Sequence, residues 1–239
     1  MSTVFSIYSS RFPEFVTPFV LASLVSGILS SVTFSLLPLD VLASRPVGAD
    51  VFSWMLSNLG TLVLTIFFLG LVSWVIFTIV GGLAVKFASD LIEIGEADYR
   101  AGFNEVISRL PSLLGAGLLT AVLIGLGFIL FIVPGVILAI IFSLVVPVIM
   151  IERLSAFKSL SRSMTLVSGR WSKTFVLLLI VVIIIILADW IAGAILISVI
   201  QSPVTGIFTA LVSAILQPLY AISTTALYYS MKAREQPKV

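Results

Sequence analysis

The chain has 239 residues, of which 60% are hydrophobic and only 10% charged, and it contains neither cysteine nor histidine. An ordinary soluble domain is about 45–50% apolar and about 25% charged, so this composition excludes a chain that covers itself with a water-facing surface. The missing residue types exclude disulfides, thiolate metal sites, Ser-His-Asp triads and histidine proton relays.

With a mean hydropathy of +1.26, the length is best counted in membrane spans of roughly 20 residues each. Charge-free stretches place six of them. The first covers 15–37, with Pro18 in its opening turns and a run of serines from Ser23 to Ser35 suited to close packing. Its apolar stretch is too long, and its basic start at Arg11 too slight, for a cleavable signal peptide. The second covers 54–85, within a charge-free stretch that begins at Phe52. It exceeds what a bilayer requires, so it must tilt, bend near Gly81-Gly82, or project beyond the membrane.

From Pro111 to Ile151 there is no charge at all, too long a stretch for one crossing. Pro134-Gly135 is expected to divide it by a tight turn into a third span, 112–132, and a shorter fourth, 136–151. The fifth covers 174–200 and the sixth 204–231, separated by Gln201-Ser202-Pro203.

Lysine and arginine orient these spans. With the N-terminus inside, twelve of the thirteen basic residues fall on the inner side and Arg45 alone on the outer. The positive-inside rule then gives a cell-membrane protein with both termini in the cytoplasm.

Two inner connections carry helical stripes. Leu154, Phe157, Leu160, Met164 and Val167 recur at three- and four-residue spacing, opposite Ser155, Lys158, Ser159 and Arg162. That is the pattern of a helix lying among lipid headgroups, or packed on the end of the bundle. Phe103, Val106, Ile107 and Leu110 make a similar stripe, on which Glu105 and Arg109 are spaced to pair at i,i+4. A weak repeat links these segments: Phe5, Ser10, Arg11 and Pro13 match Phe103, Ser108, Arg109 and Pro111. Each proline is expected in the first turn of the span that follows. Phe157 and Ser168-Gly169-Arg170-Trp171 stand before the fifth span in the same manner, which suggests three units of an interfacial helix followed by a hairpin.

Pro134-Gly135-Val136, Pro147-Val148-Ile149 with Glu152, Ala156-Phe157-Lys158-Ser159-Leu160-Ser161-Arg162-Ser163 and Gly169-Arg170-Trp171 follow one another in order. Together they resemble a family of six-span proteins that includes the membrane domain of some glycerophosphoryl diester phosphodiesterases and the YciC-like proteins. Phe157 and Leu160 only approximate the family's A-L step, and Ser161 precedes Arg162-Ser163. The resemblance implies a membrane domain whose molecular function is largely undefined, and it does not imply phosphodiesterase activity, because the catalytic barrel of those enzymes has no counterpart in this sequence.

Asp189 is the one ionisable residue deep within a span, which makes it a candidate polar site together with Asn58 and Gln217. It stands sixteen residues beyond Lys173, about 24 Å from the inner end and so near the outer face, where Arg45 is a possible partner. Pro147 and Pro218 each remove a helix donor, freeing the carbonyls of Ser143 and Ala214. The acidic group Asp90, Glu93, Glu96 and Asp98 has oxygen ligands for a divalent ion but not EF-hand spacing, and reads better as a solvated helix end.

The expectation is an all-α, polytopic membrane protein forming one domain over 1–239, with six transmembrane helices in three hairpins and amphipathic helices at the cytoplasmic side. Its expected role is non-enzymatic, without a cofactor: a lipid-associated scaffold or accessory subunit of a membrane complex. Phe157, Lys158, Arg162, Arg170 and Trp171 would contact anionic headgroups or a protein partner, such as a second copy, rather than nucleic acid. The alternative is a transporter or channel for a small solute, ion or lipid, with a path near Asp189, Asn58 and Gln217.

Overall fold

A computed structural model describes residues 8–9, 11–35, 48–199 and 204–235, which are helical apart from short turns. The helices are α1 (Phe12–Ser35), α2 (Gly48–Glu93), α3 (Tyr99–Leu130), α4 (Ile132–Ile141), α5 (Val145–Glu152), α6 (Ala156–Val167), α7 (Trp171–Val199) and α8 (Val204–Lys232). Among the described residues, six helical stretches are long and apolar enough to cross a membrane, with α4 and α5 together making the fourth. The loop with Asp40 and Arg45, and the Gln201-Ser202-Pro203 connection, lie outside the described residues.

Several boundaries differ from the expected ones, each for a local reason. The turn between the third and fourth spans is at Phe131, whose backbone is extended (φ −165°, ψ 158°), not at Pro134-Gly135. Pro134 instead occupies the first turn of α4, where a missing N–H has no intrahelical partner to lose. Gly135 is needed for closeness: a Cβ there would stand 2.5 Å from the Phe128 ring of α3.

The fourth span breaks at Phe142–Leu144, and Pro147 falls in the first turn of the restarted helix α5. Hydroxyls cap the broken end. Ser143 Oγ donates to the Ile140 carbonyl at 2.8 Å, and Ser163 Oγ from α6 donates to the Ile141 carbonyl at 2.5 Å.

Pro111 lies in the middle of α3, because the stripe around Phe103 is the first part of that same helix and not a separate one. Pro13, its expected counterpart, is the second residue of α1. The repeat therefore does not extend to helix boundaries, and its Phe5 lies outside the described residues. Helix α2 runs unbroken through Gly81-Gly82 for 46 residues, about 69 Å at 1.5 Å per residue. Its final turns carry Lys86 and Asp90, beyond the charge-free stretch.

Helix α8 is central, packing on α1, α2, α5, α6 and α7. Its inner face is small and hydroxyl-bearing, with Ala221, Ser223, Thr224 and Thr225 all buried. Thr225 Oγ1 donates to the Ala221 carbonyl at 2.7 Å, so its hydroxyl is satisfied while backbones approach closely. Tyr8 is buried, and its hydroxyl donates to the Ile215 carbonyl of α8, next to Ala214, whose donor Pro218 removes. The core sits toward the charged end, around Phe15, Phe87, Val106, Ile149 and Ile222. Away from it the outer parts of α2 and α7 are apolar but bare: Leu64 is 69% exposed and Phe67 67%. Apolar faces of that extent suit hydrocarbon as the solvent.

Candidate lipid-facing site at the charged end

Helix α5 ends at Glu152, and Arg153 adopts a left-handed backbone (φ 56°), unusual for a residue with a Cβ, that turns the chain into α6. The expected stripe on α6 is divided. Leu160 and Val167 face inward with Ser159, Ser163 and Leu166, whereas Phe157 and Met164 face outward. Small side chains decide the rotation: Ser159 and Ser163 are fully buried, and Ala156 packs at van der Waals distance from the space above Gly115 of α3.

This rotation turns Arg162 onto the protein. Its Nε donates to both oxygens of Glu152 at 3.0 Å, and its terminal nitrogens donate to Glu235 at 2.9 and 2.6 Å. Tyr228, fully buried in α8, donates to Glu152 at 2.8 Å, and Lys232 lies over the Tyr228 ring. The two carboxylates raise the Arg162 guanidinium above its ordinary value, and Arg162 holds the Glu235 carboxyl below the usual range. The Arg162 group thus joins α5, α6 and the C-terminal turn.

A second network ties α2 to α3 and α8. Lys86 pairs with Asp90 at 2.5 Å and with Glu105 at 3.8 Å, and Glu105 takes Arg153 at 2.8 Å. Arg109, the expected i,i+4 partner of Glu105, instead donates to the Arg153 carbonyl at 3.2 Å. Tyr229 donates to Glu93 at 2.6 Å and lies 2.7 Å from the Ser89 hydroxyl. Asp98 caps α3 by accepting from the Arg100 backbone N–H, so three of the four grouped acids have structural partners.

Arg11 pairs with Glu14 at 2.8 Å, whereas basic residues around the start of α7 stand outside such pairs among the described residues. After α6 the chain turns at Gly169, whose φ of +79° favours glycine, and α7 starts at Trp171. Arg170, Lys173 and Arg234 surround a hollow of about 360 Å³, with Trp171 at its wall. None of these three cations is ion-paired among the described residues. The first N–H groups of α7 add positive potential. Phe157 is 76% exposed and Lys158 is exposed beside it. Thus Phe157, Lys158, Arg170 and Trp171 face outward, and Arg162 alone of the expected contact residues faces its own chain.

The residues of the expected intramembrane site lie on three helices: Asn58 on α2, Asp189 on α7 and Gln217 on α8. Half-buried Asp189 accepts from Ser213 Oγ of α8 at 2.7 Å, and Arg45 lies outside the described residues. Gln217 is one turn further along α8. Asn58 donates to the Trp54 carbonyl at 2.9 Å and the Ser57 hydroxyl at 3.2 Å within its own turn of α2.

Glu152, Tyr228, Tyr229 and Glu235 were not among the expected site residues. Local spacing gave no signal for Glu152, whose partner Arg162 lies ten residues on, in the next helix. The tyrosine pair gave none, because its partners are 76 and 136 positions away.

No curated protein and no solved structure matches the chain. Nothing in these comparisons links it to the phosphodiesterase membrane domains or YciC-like proteins that its motifs resemble. One family model, described as a domain of unknown function, matches residues 2–231. The chain belongs to that family, DUF7847.

Proposed function

We propose that this protein is a non-enzymatic, multi-pass cell-membrane protein that holds anionic lipid at the cytoplasmic end of its helices, as a lipid-associated scaffold or an accessory subunit of a membrane complex. In this reading the six spans form three hairpins, α6 lies at the inner surface, and both termini are cytoplasmic. The observation that carries it is the hollow formed by Arg170, Lys173 and Arg234 beside Trp171. Cations that form no ion pair among the described residues, beside an interfacial indole, are suited to headgroup phosphates at an acidic surface, and Phe157 and Lys158 are exposed at the other end of α6. Arg162 contributes indirectly, by fixing α6 and the C-terminal turn that bears Arg234.

Native mass spectrometry of the protein in mild detergent tests this, with phosphatidylglycerol and phosphatidylcholine supplied together. The expected result is preferential retention of phosphatidylglycerol, lost when Arg170, Lys173 and Arg234 are replaced by Gln. Equal retention of both lipids, or a preference unchanged by the triple substitution, overturns the reading.

A further inference from the structure

Several irregularities that are scattered in sequence meet at one place. Gly81 and Gly82 of α2, Gly117 and Gly125 of α3, and Ser143 and Pro147 around the α4–α5 break all line a cavity of about 570 Å³. Small-molecule sites typically occupy about 300–1,000 Å³. The glycines create part of this space: a Cβ at Gly81 or Gly125 would meet no atom within 4 Å. Gly117 has a different task, because a Cβ there would stand 3.0 Å from the Trp74 indole, which is thereby seated against α3.

The depth of the cavity follows from the helices that frame it. Trp74 is twelve residues from Lys86 in α2, and Tyr220 is twelve residues from Lys232 in α8. Each separation is about 18 Å along a helix, which brings both aromatic side chains near the middle of a hydrocarbon core about 30 Å thick. No charged side chain lines the cavity, and its wall is mostly apolar, with the aromatic rings of Trp74, Phe142 and Tyr220 among the lining residues.

Its hydroxyls are unevenly satisfied. Thr78 donates to the Trp74 carbonyl at 2.7 Å and Thr224 to the Tyr220 carbonyl at 3.0 Å. Thr120 Oγ1, in contrast, is buried without a partner, and Tyr220, a lining residue that is 39% exposed, has a hydroxyl that none of the described residues bonds. Elsewhere in the bundle the buried hydroxyls of Tyr228 and Ser163 are bonded to protein acceptors, and Ser26 of α1 carries the other buried hydroxyl oxygen without a partner among the described residues. At membrane depth no bulk water can relieve an unmet donor.

We infer that this cavity is a binding site for an uncharged, lipid-like molecule whose apolar body carries a carbonyl oxygen, with Tyr220 and Thr120 donating to that oxygen. The absence of charge in the lining selects against ionised lipids, and the two free donors select for an acceptor. The aromatic wall takes the apolar body. This site is separate from the headgroup hollow at the charged end and stands whether or not that hollow binds anionic lipid.

Photocrosslinking of the full chain in nanodiscs tests the inference. The first probe is a palmitate methyl ester bearing a diazirine near the ester, and the second is a hydrocarbon diazirine of equal length without the carbonyl. The ester probe is expected to label residues around Trp74 and Tyr220 saturably and to be displaced by unlabelled methyl palmitate. Gly81→Leu and Gly125→Leu fill open space, so each should keep the thermal transition while losing the label. Tyr220→Phe and Thr120→Val should each lower ester labelling about two- to tenfold, the loss of one neutral hydrogen bond, and leave hydrocarbon labelling unchanged. Labelling that does not saturate, or that persists in a folded Gly81→Leu or Gly125→Leu variant, overturns the site. An equal loss of both probes in Tyr220→Phe overturns the carbonyl assignment.

Discussion

Arg162 of α6 donates through Nε to both carboxylate oxygens of Glu152 at the end of α5, at 3.0 Å each. The pair is only partly exposed, 27% for the arginine side chain and 18% for the glutamate. Removing the arginine leaves a shielded carboxylate whose remaining partner is the Tyr228 hydroxyl. Arg162→Ala is therefore expected to cost about 1.5–3 kcal/mol, the range of a hydrogen bond to a charged group. Arg162→Lys should recover only part of this, because an ammonium cannot reproduce the planar fork. Thermal unfolding of both variants in mild detergent checks the ordering.

The second pair of the same guanidinium, with Glu235, sets an acid limit. Arg162 depresses the Glu235 carboxyl from its ordinary value of 4.5. A group depressed in the folded state contributes stability that is complete above its unfolded pKa and is lost as pH falls through the lower folded value. The docking of the C-terminal turn should thus be constant above about pH 5 and weaken below about pH 4.5. Because Glu235 is well exposed, the effect is small, below about 1 kcal/mol. Subtracting the melting profile of Glu235→Gln from that of the parent between pH 3.5 and 6 isolates it.

Two glycines in the long apolar helices should respond oppositely to alanine. At Gly135 the added Cβ meets the Phe128 ring at 2.5 Å, within the tight α3–α4 turn. Overpacking of this kind costs about 1–3 kcal/mol. At Gly81 the Cβ enters open space, and Gly81→Ala should be neutral or stabilising by up to about 1 kcal/mol through helix propensity. Parallel melts of the two variants separate a glycine needed for close approach from one that leaves room.

Asp189 accepts from Ser213, and an asparagine oxygen can accept the same bond. Asp189→Asn should consequently match the parent in stability within about 0.5 kcal/mol, whereas Asp189→Ala should lose about 0.5–1.5 kcal/mol. A solute or ion flux in proteoliposomes that Asp189→Asn abolishes would instead favour the transport alternative.

The apolar architecture was legible because long charge-free runs report solvent directly, and the helices of the fifth and sixth spans start or end within a few residues of the expected limits. Turn positions were less legible. A proline is equally compatible with ending one helix and with opening the next, as Pro134 and Pro147 show, and Pro111 is carried inside α3 by a helix that continues past it. Periodicity gave α6 its helical form but not its rotation, since Ser159, read as polar surface, is fully buried. The partners of Arg162 and Glu105 depend on which helix ends meet in space, which local spacing does not encode. For the same reason Gly81, Gly125, Thr120 and Tyr220 give no sign in sequence that they share one cavity.

The central claim is a membrane-spanning bundle whose basic end, with α6, faces the cytoplasm. The cysteine-free chain permits a direct measurement: single substitutions Ser161→Cys in α6 and Ser44→Cys in the loop between the first two spans, labelled with a membrane-impermeant maleimide. Ser161→Cys should react only in inside-out vesicles and Ser44→Cys only in intact cells. Labelling of Ser161→Cys in intact cells, or of both positions from one side, would contradict the account.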